Sequence, residues 1–179
     1  MRVSRHMALM LICLLLSACG VPQLFPKNVM VGVDKNFDFI DWKNAPNAKV
    51  DRKVQIGGRV IETNSTEGET LIVAQQLPIA QHPAYGPKDT GKRTGEFAIA
   101  YAGKLPASAL AKGYKLIVVG TTQKTRVVDL EDGKRSLPAI LAACIHVWKT
   151  GMHDDIADFS SVGAGYETLE ENTHCISSQ

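Results

Sequence analysis

A cysteine thiol is a ready nucleophile, and Cys19 stands directly behind Leu16, Ser17 and Ala18. Small side chains at Ser17 and Ala18 let an extended chain enter a signal peptidase, and the Cys19 thiol can then take up diacylglycerol. The tetrad reads as a lipobox, with Leu16, Ser17 and Ala18 as recognition residues and Cys19 as the lipidation site. Cleavage before Cys19 would also discard Cys13, leaving Cys144 and Cys175 as the remaining thiols. In an oxidising compartment these two form one disulfide, or else Cys144 is a small buried hydrophobe beside an incidental Cys175. An unpaired exposed thiol is a liability outside the cytoplasm, which favours the bridge.

Other reactive side chains fit no known chemistry by their spacing. His153, Asp154, Asp155 and Asp158 would face one divalent cation if their segment were helical, yet no second ligand set accompanies them, and no metal site is expected. His146 lies in an apolar run two residues before Trp148, where a packed, hydrogen-bonded histidine at the core edge is the expectation rather than a base or ligand. Ser160 and Ser161 lack the glycine-flanked elbow and the oriented histidine and acid that a hydrolase needs. Neither a phosphate-cradling loop nor a dinucleotide fingerprint is present, so no catalytic residue and no cofactor is assigned.

The elements that must position these residues begin with the leader. Arg2 and Arg5 precede an apolar run from Met7 to Leu16, the charged and hydrophobic regions of a bacterial export signal. That run is shorter than the roughly 20 residues a spanning helix needs. An ordinary secretory signal or an uncleaved anchor are the alternatives to a lipoprotein leader. Acylation would leave the protein anchored but not spanning, since about 0.8 kcal/mol per buried methylene makes two or three chains a lasting anchor. Gly20, rather than Asp, follows Cys19, so the expected location is the bacterial outer membrane, periplasm-facing.

Residues 1–18 are thus a signal peptide, 19–31 a lipidated N-terminus and spacer, 32–150 a folded domain, and 151–179 a polar tail. The leader carries Arg2 and Arg5 out of a chain with 20 basic and 18 acidic side chains, so the mature chain holds 18 of each. With no basic excess, nucleic acid is not an expected partner.

Within the domain, Phe37, Ile40 and Trp42 supply apolar mass to a short helix or turn before Pro46. From Lys53 the apolar period becomes two: Val54, Ile56, Gly58 and Val60 share one face of a strand. The pair Gly57-Gly58 suggests a bend or bulge. TLIVAQQL, EFAIAYAG, YKLIVVGTT and SLPAILAACIHVW read as further strands, with LPASALAKG as a brief helical piece. The expected fold is mainly all-β: a small OB-like five-stranded antiparallel barrel with one short helical segment, a sandwich or open sheet being the competing arrangement.

VQIGGRV (54–60), Asn64 with Thr70, the Pro78-Ile79 step, LPASALAKGYKLIVVGT (105–121) and IHVW (145–148) together resemble the starvation-inducible outer-membrane lipoproteins, the Slp-type family. That resemblance implies a non-enzymatic envelope lipoprotein linked to starvation or acid stress, and it supplies no catalytic residues. Partners implied are the membrane, through the N-terminal lipid anchor, and an envelope protein. A ligand-binding module using the barrel face for an oligosaccharide, peptide or lipid headgroup is the alternative function. Lys88, Lys92 and Arg93 form the densest basic stretch after leader removal and are candidates for contact with headgroups or an acidic partner, against a solvated loop offset by Asp89 and Glu96.

Overall fold

A computed structural model of the chain describes residues 23–79, 86–92, 94–150 and 169–176. Six strands carry the fold: β1 (Lys53–Ser65), β2 (Glu69–Leu77), β3 (Glu96–Ala102), β4 (Lys115–Leu130), β5 (Gly133–Trp148) and β6 (Glu171–Cys175). Two short helices, α1 (Lys27–Met30) and α2 (Phe39–Asn44), precede them. The sheet order is β3-β2-β1-β4-β5-β6, and β3 also pairs with β5, so the first five strands close into a ring. The closing pair is parallel and short, from Ala98 opposite Ala139 to Ala100 opposite Leu141. The mostly β, OB-like arrangement is therefore present, with two differences. One pairing is parallel, and a sixth strand extends the sheet.

Alternation along the strands sorts the apolar residues into an interior and two outer clusters. Inside the ring lie Val54, Ile56 and Val60 of β1, Ile72 and Ala74 of β2, Phe97, Ile99 and Tyr101 of β3, and Leu116 and Val118 of β4. This is the period of two expected for half-buried strands. Helix α2 joins the interior through Phe39 and Trp42, spaced to share a helical face; Asp38 caps it by accepting from the Asp41 amide at 2.9 Å. Phe39, not the expected Ile40, carries the buried mass; Ile40 is 43% exposed.

The glycine pair serves close packing. A Cβ on Gly57 would meet the Leu77 carbonyl at 2.8 Å and the side chains of Ile79 and Pro87; on Gly58 it would meet the Gln75 carbonyl at 3.0 Å and Phe97 at 3.3 Å. Gly57 thus lets the chain after β2 lie flat on the outside, and Gly58 makes room for Phe97 within. The register shift of β1 against β2 falls between Val60 and Glu62, beyond the glycines that were expected to mark a bulge.

Three buried threonines tie connecting segments to strands, each by one accepted and one donated hydrogen bond. Thr70 accepts from the Leu105 amide and donates to the Gly103 carbonyl. Thr122 accepts from the Arg52 amide and donates to the Lys49 carbonyl. Thr150 accepts from the Lys115 amide and donates to the Gly113 carbonyl. A buried hydroxyl satisfied on both sides avoids the desolvation penalty that an unpaired one would carry.

The ends of the domain differ most from expectation. The stretch read as spacer is packed from Leu24 onward: Phe25 is 5% exposed and, with Leu24, Val29, Met30 and Val33, covers Ile117, Val119, Cys144 and Trp148 on the outer side of β4 and β5. β4 and β5 run on past the expected strands into a long hairpin turning at Glu131-Asp132, and its Val128, Leu130 and Leu137 cover Val73 and Ala98 on the opposite outer side. β6 lies within the segment read as a polar tail.

Candidate functional site

The positions of Leu16, Ser17, Ala18 and Cys19 lie outside the described residues, as do Arg93, His153, Asp154, Asp155, Asp158, Ser160 and Ser161. Of the other candidates, the structure brings Cys144 and Cys175 together. Their residues stand directly opposite in the β5–β6 ladder, with Cα atoms 4.1 Å apart and the sulfurs joined in a disulfide. The bridge fixes β6 to β5, and Thr173 on β6 in turn donates to the Leu24 carbonyl at 3.3 Å, so the staple also steadies the N-terminal arm.

His146 sits beside this staple, 4% exposed, with its ring 4.2 Å from Trp148 and 6.4 Å from Phe25. Nδ1 pairs with the Thr173 hydroxyl at 2.6 Å, and Nε2 faces the Glu171 carboxylate at 3.5 Å, beyond hydrogen-bond geometry. Burial lowers the imidazole pKa more than the Glu171 charge raises it, and nearby His174 lowers it further. The ring is therefore neutral at neutral pH and packed at the core edge.

Lys88 and Lys92 are exposed on the segment after Pro87, which an isolated bridge from Ile79 holds against the outer side of the ring. The carboxylates expected to offset them are engaged elsewhere. Asp89 pairs with Arg59 at 3.0 Å and Glu96 with Arg135 at 2.5 Å.

A groove of about 450 Å³ opens at the seam where β3 meets β5. Its floor is apolar, from Ala100, Ala139, Ile140 and Leu141; its rim is polar, from Asp51, Glu69, Gln123, Lys124 and Arg126. The register shift between Gln123 and Arg126 turns β4 outward here and makes the opening. Asp51 forms part of the rim from a left-handed backbone, φ 59°, which aspartate tolerates better than most side chains. Arg126 holds Glu69 through two parallel hydrogen bonds, Nη1 to Oε2 at 2.8 Å and Nη2 to Oε1 at 2.5 Å. That fork pulls the Glu69 carboxyl below the usual carboxylate range, leaving it ionised and a poor proton acceptor. A concave apolar floor with a few polar groups suits binding. Sequence reasoning missed this site because Glu69 and Arg126 are 57 positions apart and only ring closure and the β4 irregularity bring them together.

A family model for outer membrane lipoproteins of the Slp type matches residues 16–167. The chain belongs to the Slp family of outer membrane lipoproteins. This Slp-family chain is thus an outer-membrane lipoprotein, and among its described residues no helix is long and apolar enough to cross a membrane. A search of curated proteins finds no match. The recognised motifs acquire physical roles in the fold: VQIGGRV supplies the close-packed strand, Thr70 the buried hydroxyl clamp, and IHVW the last residues of β5 against the arm and β6.

Proposed function

We propose that this Slp-family lipoprotein is a non-enzymatic, periplasm-facing component of the outer-membrane envelope, tethered by acylated Cys19 and acting through protein contacts during starvation or acid stress. The observation that carries the reading is the extent of the family match, which starts at Leu16 and so includes the whole Leu16-Ser17-Ala18-Cys19 tetrad. Labelled palmitate is expected in the wild-type protein and absent from Cys19→Ser, with the mature species in the outer-membrane fraction. Equal labelling of both would remove the anchor. The stress role is tested by survival of a deletion strain under starvation and at low pH, with recovery by the wild-type gene. Unchanged survival of the deletion strain would overturn that role.

The seam groove favours a second reading, a ligand-binding module. Its described lining holds no aromatic ring on which a sugar would stack, and Leu141, 44% exposed, offers an apolar contact instead. A peptide suits this chemistry better than an oligosaccharide. Arg126→Glu, which sets two carboxylates against each other, should abolish binding of such a peptide from an envelope peptide library. Retained binding would exclude the groove.

A further inference from the structure

The reach of the tether follows from where the fold begins. Phe25 is buried and the Leu24 carbonyl is hydrogen-bonded to β6, so only five residue steps separate Cys19 from a fixed point. At full extension they span about 17 Å, roughly two Debye lengths at physiological ionic strength. Given acylation at Cys19, which this inference takes from the proposed function, the domain cannot move far from the bilayer.

The residues on the side where the chain emerges suit such proximity. The arm crosses the outer side of β4, and α1 places Lys27 just before Val31, which is 72% exposed. Lys35 follows in the next turn. Ile79 packs into the same outer cluster as the arm, and its bridge to Pro87 brings exposed Lys88 and Lys92 to this side. Three carboxylates here have cationic partners, Asp34 with Arg52, Asp89 with Arg59 and Glu170 with Lys149, whereas Glu171 faces only the neutral His146 ring. Among the described residues Lys27, Lys35, Lys88 and Lys92 have no ion-pair partner. On the hairpin, Arg126 is held by Glu69, Arg135 by Glu96 and Asp132, and Lys134 lies beside Asp129 at 3.7 Å, leaving Lys124 as the one described hairpin cation with no ion-pair partner.

We infer that the arm side of the domain is a membrane-docking face, with Lys27, Lys35, Lys88 and Lys92 against anionic lipid headgroups and Val31 entering the interface. Charge attraction and a small apolar insertion add to a lipid anchor as a second, orienting signal.

The test uses the acylated protein reconstituted in vesicles of phosphatidylethanolamine and phosphatidylglycerol, with a nickel-chelating lipid at the headgroup level. Spin labels at position 31 or 90 should be strongly relaxed by the nickel, and a label at position 134, on the hairpin, only weakly. The combined variant Lys27→Glu, Lys35→Glu, Lys88→Glu, Lys92→Glu should lose that contrast while still carrying palmitate and floating with vesicles. Equal relaxation at all three positions in the palmitate-bearing protein overturns the face. Contrast that survives the combined variant and persists in pure phosphatidylcholine overturns the headgroup contact. Absence of palmitate, seen independently by labelling, overturns the tether and this inference with it.

Discussion

The two outer sides of the ring are covered in different ways. On one side, β4 and β5 simply continue past the ring and fold back as a hairpin, so the residues that cover Val73 and Ala98 come from strands already in register. On the other, Ile117, Val119 and Trp148 are covered by an arm from the N-terminal end and by a strand from the C-terminal end. Loop-closure entropy must be overcome to assemble such distant segments, whereas a hairpin needs only its turn. The side built from distant pieces is the side that carries the disulfide. A local cover is held by its own ladder, and a cover gathered from both ends is held by a staple.

The largest effect on this contrast should come from Cys144→Ala with Cys175→Ala. The bridge closes a loop with a sequence separation of 31, and loop entropy predicts a loss of about 3 to 4 kcal/mol. Denaturant unfolding should register that loss, with amide exchange rising first in β6 and the arm. Exchange that rises equally in the hairpin would break the distinction.

Phe25→Ala comes next, at about 3 kcal/mol for removal of a buried ring. The arm should then become protease-sensitive near residue 24 while the hairpin stays protected. A thermal shift without new cleavage would mean that the arm is held mainly by its backbone.

Val128→Ala removes two methylene equivalents from the hairpin cover, and about 1.5 to 2 kcal/mol is expected. Exchange should rise in residues 126–137 and leave β6 unchanged. Coupling of this variant with Phe25→Ala should be near zero, because the two covers share no described contact cluster.

Protons should produce the smallest effects, one on each side. The folded-state pKa of His146 is depressed by burial, so the unfolded chain takes up a proton first. Stability on the arm side is then full above about pH 6.5 and falls as pH drops through the lower folded value. His146→Gln should flatten thermal stability between pH 7 and 5. Glu69 is also depressed, by its hydrogen bonds to Arg126, so its contribution is full above about pH 4.3 and lost below. Because both groups are partly exposed, that contribution is under about 1 kcal/mol. A pH profile of Glu69→Gln matching wild type between pH 5 and 3 would remove even this.

How far the sequence could be read depended on whether a residue's neighbours were local. Val54, Ile56 and Val60, or Phe97, Ile99 and Tyr101, announce a strand face because alternation along a few residues is sufficient. Residues 123–135 show no such pattern, since only Val128 and Leu130 are buried there while Val127 beside them is exposed among polar positions, and the strand signal is too thin. Glu-Asn-Thr-His-Cys of β6 is polar or half-buried throughout, and it becomes a strand through backbone pairing with β5 and a disulfide. Phe25 looked like spacer because its burial depends on Trp148 and β6, more than a hundred residues away. The groove was illegible for the same reason.

By itself, the sequence determined the mainly β character, the interior-facing residues and the two cysteines able to pair, because each is written in residue types and short spacings. Tertiary structure decided the parallel β3–β5 closure, the seam groove with its Glu69–Arg126 fork, and which cations face the same side as the arm. These depend on segments distant in the chain meeting in one register, which only the closed sheet imposes.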